Sequence, residues 1–82
     1  MPVIARFYGI AIRMYFKEHG VPHFHVIYGD FSAVFEIETL GMIEGELPQR
    51  AQRLVREWAA QHQADLQEMW KTQRFHELSG LD

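Results

Sequence analysis

Apolar and polar side chains alternate along two stretches in the first half of the chain, which is the period-two pattern of half-buried β-strands. Apolar residues occupy the even positions of residues 10–16 and again those of residues 23–28. An earlier extended piece, residues 3–8, is separated from the first stretch by Gly9, where a bulge or bend is expected. The pattern predicts strands that turn one apolar face toward a core and one polar face away from it.

The dipeptide Gly29-Asp30 predicts a two-residue hairpin turn between the second of these strands and a third one. With these two residues as the loop, the apolar even positions of the second strand all pair with apolar residues of the third strand, on one face. On the opposite face, His23 then lies directly across from Glu36, and facing Cβ atoms are about 5 Å apart in such pairs. The register therefore brings the Glu36 carboxylate within reach of His23 and, diagonally, of His25.

The second half of the chain has the three- and four-residue spacing of an amphipathic helix. Pro48 suits the first turn of that helix, where its missing N–H has no intrahelical partner, and the apolar stripe continues to about Trp70. A short fourth strand is predicted at residues 42–46. The pattern predicts an α+β fold in which an antiparallel meander of three or four strands packs on one long C-terminal helix. The predicted boundaries are 1–47 for the sheet, 48–71 for the helix and 72–82 for a tail, within one domain spanning residues 1–82.

Composition and charge exclude several classes of protein. The chain has 82 residues, 48% of them hydrophobic, and no cysteine, which excludes disulfides and thiolate metal sites. A formal net charge of −3 argues against a protein that coats nucleic acid or anionic membrane. The N-terminus lacks the pattern of a signal peptide, and no segment approaches the roughly 18 apolar residues of a membrane span. We therefore expect a cytoplasmic protein without a membrane partner.

The candidate chemistry lies in a histidine cluster. His19, His23 and His25 are three of the five histidines and fall within seven residues. Two histidines spaced i, i+2 on a strand share one face, roughly 6 to 7 Å apart. Arg13 and Tyr15 are expected to join them on that face, with His19 in the adjoining loop. The polar face of the sheet is thus the predicted functional surface.

One interpretation of this face is a metal site. Imidazole nitrogens and carboxylate oxygens are ligands of zinc, and two histidines with one carboxylate also suit non-haem iron(II). His19, His23, His25 and Glu36 are the candidate ligands of zinc or another divalent transition metal. The simpler alternative is an exposed pair of His23 and Glu36, worth at most about 1 kcal/mol.

A second interpretation is metal-free hydrolysis, including ribonuclease chemistry. His23 and His25 would act as general base and general acid, Arg13 would hold a phosphate, and Tyr15 would stack on a base or donate a proton. The net charge does not support strong RNA affinity.

A third interpretation is a binding module. A protein partner would cover the polar face or pair with an exposed edge strand, and a homodimer could form in the same way. This third interpretation requires no special chemistry, and the sequence favours it.

Motifs along nearly the whole chain resemble one family. They are Phe7-Tyr8-Gly9-Ile10, Met14-Tyr15-Phe16, His19, Pro22-His23-Phe24-His25, Tyr28-Gly29, Gly45-Glu46-Leu47-Pro48, Glu57-Trp58 and Trp70. Together they resemble the small bacterial domain-of-unknown-function family 4160, and the proline-histidine-phenylalanine-histidine run is the most specific part. The family usually has an aspartate where Glu18 stands and a second proline where Val21 stands. Because its members resemble components of two-gene, toxin-antitoxin-like modules, the resemblance implies a small protein partner encoded nearby and raises the expectation of nucleic-acid-related chemistry.

Overall fold

Five strands precede two helices in the computed structural model, which describes residues 3–81. Every neighbouring pair of strands is antiparallel, and the order in the sheet is the order in the chain. The predicted α+β meander is therefore confirmed, but the sheet has five strands rather than three or four. The elements are β1 Val3–Phe7, β2 Ile10–Arg13, β3 His23–Tyr28, β4 Phe31–Glu36, β5 Met42–Gly45, α1 Gln49–Gln61 and α2 Gln63–Thr72.

The β3–β4 hairpin has the predicted register. His23 pairs with Glu36 and Phe24 pairs with Phe35 across the two strands. Gly29 takes a φ of +58° in the two-residue turn, a conformation that suits glycine in primed hairpin turns. Because one face is buried, a slip of one residue would turn every apolar side chain outward, which fixes the pairing.

The strand predicted from residue 10 to residue 16 is shorter in the structure. β2 ends at Arg13, and Lys17 adopts a φ of +61°, which reverses the chain toward β3. Met14 is buried, as its position on the apolar side predicts, but Phe16 is 60% exposed. The placement of Phe16 on the core face is therefore wrong, because the chain has left the plane of the sheet there; its ring instead packs 4.7 Å from that of Phe75.

The core lies between the apolar face of the sheet and the two helices. Trp58 of α1 is fully buried, with its ring 5.7 Å from that of Phe7 and 6.0 Å from that of Phe24. Leu66 and Met69 of α2 continue the buried stripe. Since both helices pack on this face, the histidine-bearing face of β3 is left toward solvent, and α2 reaches it only near its last turn.

The predicted single helix is two helices in the structure. His62 has φ −120°, and its N–H donates to the carbonyl of Ala59, three residues back, instead of continuing the α-helical ladder. At this break the side-chain amide of Gln63 donates to the carbonyls of Ile37 and Glu38, each at 2.8 Å. These bonds attach the start of α2 to the chain that follows β4. Within residues 3–81, no helix is both long enough and apolar enough to cross a membrane.

Candidate metal centre

The loop between β2 and β3 brings a carboxylate to the two strand histidines. Oε1 of Glu18 lies 3.3 Å from Nε2 of His23 and 2.5 Å from Nε2 of His25. One ligand atom from each of the three residues lies within 4.8 Å of the other two. We call Glu18, His23 and His25 the histidine–carboxylate cluster.

The proton positions on His23 follow from its partners. Nδ1 lies 2.7 Å from the carbonyl oxygen of Val21, and because that oxygen can only accept, Nδ1 carries the hydrogen. In the neutral ring Nε2 then has a lone pair, which faces the Glu18 carboxylate oxygen. In the doubly protonated ring Nε2 instead donates a hydrogen bond to that oxygen, so the contact suits either a proton or a metal ion between the two atoms. A ring whose other N–H is held by a backbone carbonyl has the orientation typical of metal-ligating histidines.

The cluster is half-buried, and Glu18 carries a negative charge at neutral pH. The exposed fractions of the side chains are 11% for His23, 27% for His25 and 29% for Glu18. The hydrogen bond from His25 holds the pKa of Glu18 below its usual range; burial opposes this, while the bond from His23 and the charges of both rings add to it. The cluster therefore offers a cation one carboxylate and two imidazoles.

Two of the predicted catalytic residues stand beside the cluster. The ring of Tyr15 meets that of His25 edge-on, with centroids 4.5 Å apart. Arg13 pairs with His25 across β2 and β3, and its Nε is buried without a hydrogen-bond partner among the described residues. On the other side, the ring of Trp70 in α2 packs against that of His23, with centroids 4.9 Å apart. An arginine and two large aromatic rings thus stand beside the cluster.

The other two predicted ligands are not part of the cluster. Glu36 pairs with His23 in register, but its Oε1 accepts a hydrogen bond from the hydroxyl of Thr39 at 3.0 Å. His19 is exposed and lines the groove next to the cluster. The carboxylate that does meet the histidines is Glu18, which the sequence analysis did not select as a ligand. The available signal was that Glu18 occupies the position where the resembled family usually has an aspartate.

The fold and the cluster together define a small α+β protein with a two-histidine, one-carboxylate site on an open sheet face. The family model described as "Domain of unknown function (DUF4160)" matches residues 9–71. The chain therefore belongs to this family, as the motif resemblance predicted, and the whole cluster lies inside the matched region. No curated protein and no solved structure matches the chain.

Proposed function

We propose that the chain binds a divalent transition metal ion through Glu18, His23 and His25, and that this ion supports a hydrolytic reaction. The observation that carries the proposal is the convergence of three ligand atoms: one atom from each of these residues lies within 4.8 Å of the other two. Three protein ligands are the number found in catalytic zinc sites. There the ion holds a water molecule in a further position and lowers the pKa of that water to about 7. The partial exposure of the cluster leaves room for that water.

The residues around the cluster have defined roles in this proposal. His19 lines the same groove without belonging to the cluster, so it is available as a general acid or base rather than as a ligand. Tyr15, in contact with His25, orients that ring. Arg13, beside His25 in register, is placed to stabilise negative charge that develops on a substrate.

The proposal is tested by zinc titration calorimetry on protein purified without a polyhistidine tag and treated with chelator. One equivalent of zinc is expected to bind the native chain, and the His23→Ala/His25→Ala variant should bind none while keeping its circular dichroism spectrum. Glu18→Gln should weaken binding at least about tenfold, by loss of a ligand and its charge. Glu36→Gln is the matched control, because that carboxylate bonds to Thr39 instead. If zinc, iron(II) and manganese(II) all fail to bind the native chain, the proposal is wrong.

We also propose a second function, the binding of a small protein partner. Its specific support is the exposed aliphatic surface beside the cluster, where Val21 is 48% and Ile43 51% exposed. The toxin-antitoxin-like modules that the family resemblance implies would supply such a partner from the neighbouring gene, in the cytoplasm. Co-expression of the two gene products tests this: the native chain should co-purify with the partner, and an Ile43→Asp variant should lose it.

A further inference from the structure

Two grooves on the solvent face of the sheet form one trough. The first, of about 340 Å³, borders the histidine–carboxylate cluster, and the second, of about 210 Å³, extends toward the end of β5. They share His25, Val34 and Glu44, which occupy one cross-strand row of β3, β4 and β5. We call this continuous depression the trough.

The charge of the trough is negative. Glu18 lines one end and Glu44 lies in the middle, whereas no lysine or arginine lines either groove among the described residues. Arg13 lies at the β2 end of the cross-strand row that leads through His25 to Glu44, and it lines neither groove. A phosphodiester chain in the trough would meet two carboxylates and no lysine or arginine among the residues that line it, so a neutral or cationic occupant is favoured.

The remaining surface of the trough is aliphatic. Ile27 and Val34 are half-buried on its floor, and Ile43 and Val21, both about half exposed, border it at the cluster end. Aliphatic side chains grouped beside a carboxylate form a surface that recognises apolar and basic side chains together, and such a grouping marks interaction sites more often than scattered apolar residues do.

The backbone beside the trough favours an extended occupant. Within residues 3–81, β5 pairs only with β4 and therefore lies at the edge of the sheet. Two of its exposed trough residues, Ile43 and Glu44, are adjacent on that edge. A strand added to an open edge gains main-chain hydrogen bonds, while its side chains provide specificity.

We infer that the trough binds an extended peptide segment of a protein partner, with aliphatic side chains against Val34 and Ile43 and a lysine or arginine against Glu44. The inference rests on the second proposed function, the binding of a small protein partner, and deepens it by naming the class of segment that the surface beside the cluster binds. It does not require that a metal ion be bound.

The test is fluorescence anisotropy with a fluorescein-labelled valine–lysine peptide that repeats valine, threonine, lysine and threonine, so that valine and lysine lie on the same face of the extended chain. The comparison ligands, of equal length, are a labelled peptide that repeats valine, threonine, glutamate and threonine and a labelled oligouridylate. The valine–lysine peptide should bind most tightly. Glu44→Lys should weaken its binding by about tenfold, the effect of exchanging one attractive surface contact for a repulsive one. Glu57→Lys, which makes the same charge change on an exposed position of α1, should stay within about twofold.

The inference is overturned if the oligouridylate binds more tightly than the valine–lysine peptide, or if Glu44→Lys and Glu57→Lys weaken binding equally. Zinc titration of the same samples separates this result from the metal proposal. A chain that binds zinc but not the peptide contradicts only the trough inference. A chain that binds the peptide through Glu44 but no metal supports the trough inference and contradicts only the metal proposal.

Discussion

At the scale of single residues, Glu18 couples the cluster to pH. Its pKa is lowered in the folded chain, chiefly by the hydrogen bond from His25. A carboxyl whose folded pKa lies below its unfolded value stabilises the fold fully above the unfolded value of about 4.5, and this contribution is lost as the pH falls through the lower, folded pKa. The charged form of Glu18 thus contributes to stability at neutral pH even without a metal ion.

We therefore expect metal-free native protein to lose stability relative to Glu18→Gln as the pH is lowered from about 5 toward 3. The change in the difference between the two unfolding free energies should be at most about 1 kcal/mol, because the pair of Glu18 and His25 is partly exposed to solvent. Urea unfolding in the presence of chelator, followed by circular dichroism at each pH, measures it. Glu57→Gln, an exposed carboxylate on α1, serves as the control. Parallel pH profiles for the native chain and Glu18→Gln would contradict the prediction.

Gly45 is a second residue with a defined requirement. Its φ is +90°, and a Cβ at this position would lie 2.6 Å from the Cα of Ala33 and also collide with the carbonyl of Ser32. Gly20 has nearly the same φ, +92°, but a Cβ there would meet no atom within 4 Å. The two glycines therefore separate backbone strain from steric collision.

Gly20→Ala should cost about 1 to 2 kcal/mol of unfolding free energy, the strain of an L-residue in the left-handed region. Gly45→Ala should cost about 1 to 3 kcal/mol more, because the added methyl group must push β5 away from β4. Urea denaturation of both variants gives the difference directly. Equal losses would show that β5 can move aside freely at Gly45.

At the scale of elements, the end of α2 holds the loop that carries Glu18. The backbone N–H of Lys17 donates to Oε1 of Gln73 at 2.8 Å, next to the contact of Trp70 with His23. Gln73 itself ends α2 in the left-handed conformation, with φ +60°. The position of Glu18 therefore depends on a residue far along the chain, at the end of a helix on the other layer.

Gln73→Asn tests this support, because asparagine tolerates the left-handed conformation while its shorter side chain fails to reach Lys17. The Gln73 side chain also donates to the carbonyl of Trp70 at 2.8 Å, within its own helix. Loss of the bond to Lys17, about 0.5 to 1.5 kcal/mol, should weaken zinc binding by about two- to tenfold. Gln67→Asn, exposed in the middle of α2, is the matched control. Calorimetry measures the zinc affinity of both variants. Unchanged affinity in Gln73→Asn would show that the loop holds Glu18 without α2.

The same elements show which parts of the fold could be predicted from sequence. The β3–β4 register was predictable because a two-residue turn and strict alternation fix it locally, and it correctly placed His23 across from Glu36. The prediction that Glu36 is a metal ligand rests only on its position across from His23. In the structure its carboxylate instead accepts a hydrogen bond from Thr39. Glu18 reaches the histidines through the reversal at Lys17 and the bond to Gln73, and neither produces a periodic signal. Nothing in the residues around His62 marks a helix break either, since no glycine or proline stands there.

At the scale of the whole molecule, the two ends of the described chain meet beside the core. The N–H of Leu78 donates to the carbonyl of Ile4 at 2.7 Å, and the indole N–H of Trp58 donates to the carbonyl of Ser79 at 2.7 Å. Both β1 and this tail lie outside residues 9–71, the region matched by the family model. The contact between them completes a core whose largest buried side chain is Trp58.

A chain that ends after Arg74 should therefore be less stable by about 4 to 6 kcal/mol. Phe75, Leu78 and Leu81 pack against the core while partly buried, which is worth about 1 kcal/mol each, and the buried indole N–H of Trp58 would lose its acceptor at a further cost of about 1 to 3 kcal/mol. Urea unfolding followed by circular dichroism compares the truncated and full chains. Ser79→Ala in the full chain is the control and should change stability by less than about 0.5 kcal/mol, because Trp58 bonds to the backbone carbonyl, which that substitution keeps. An unfolding midpoint unchanged by the truncation would place the stability of the fold in the chain up to Arg74 and leave the tail as a surface addition. The expected loss would mean that the histidine–carboxylate cluster stands on a core closed by chain beyond the region that the family model matches.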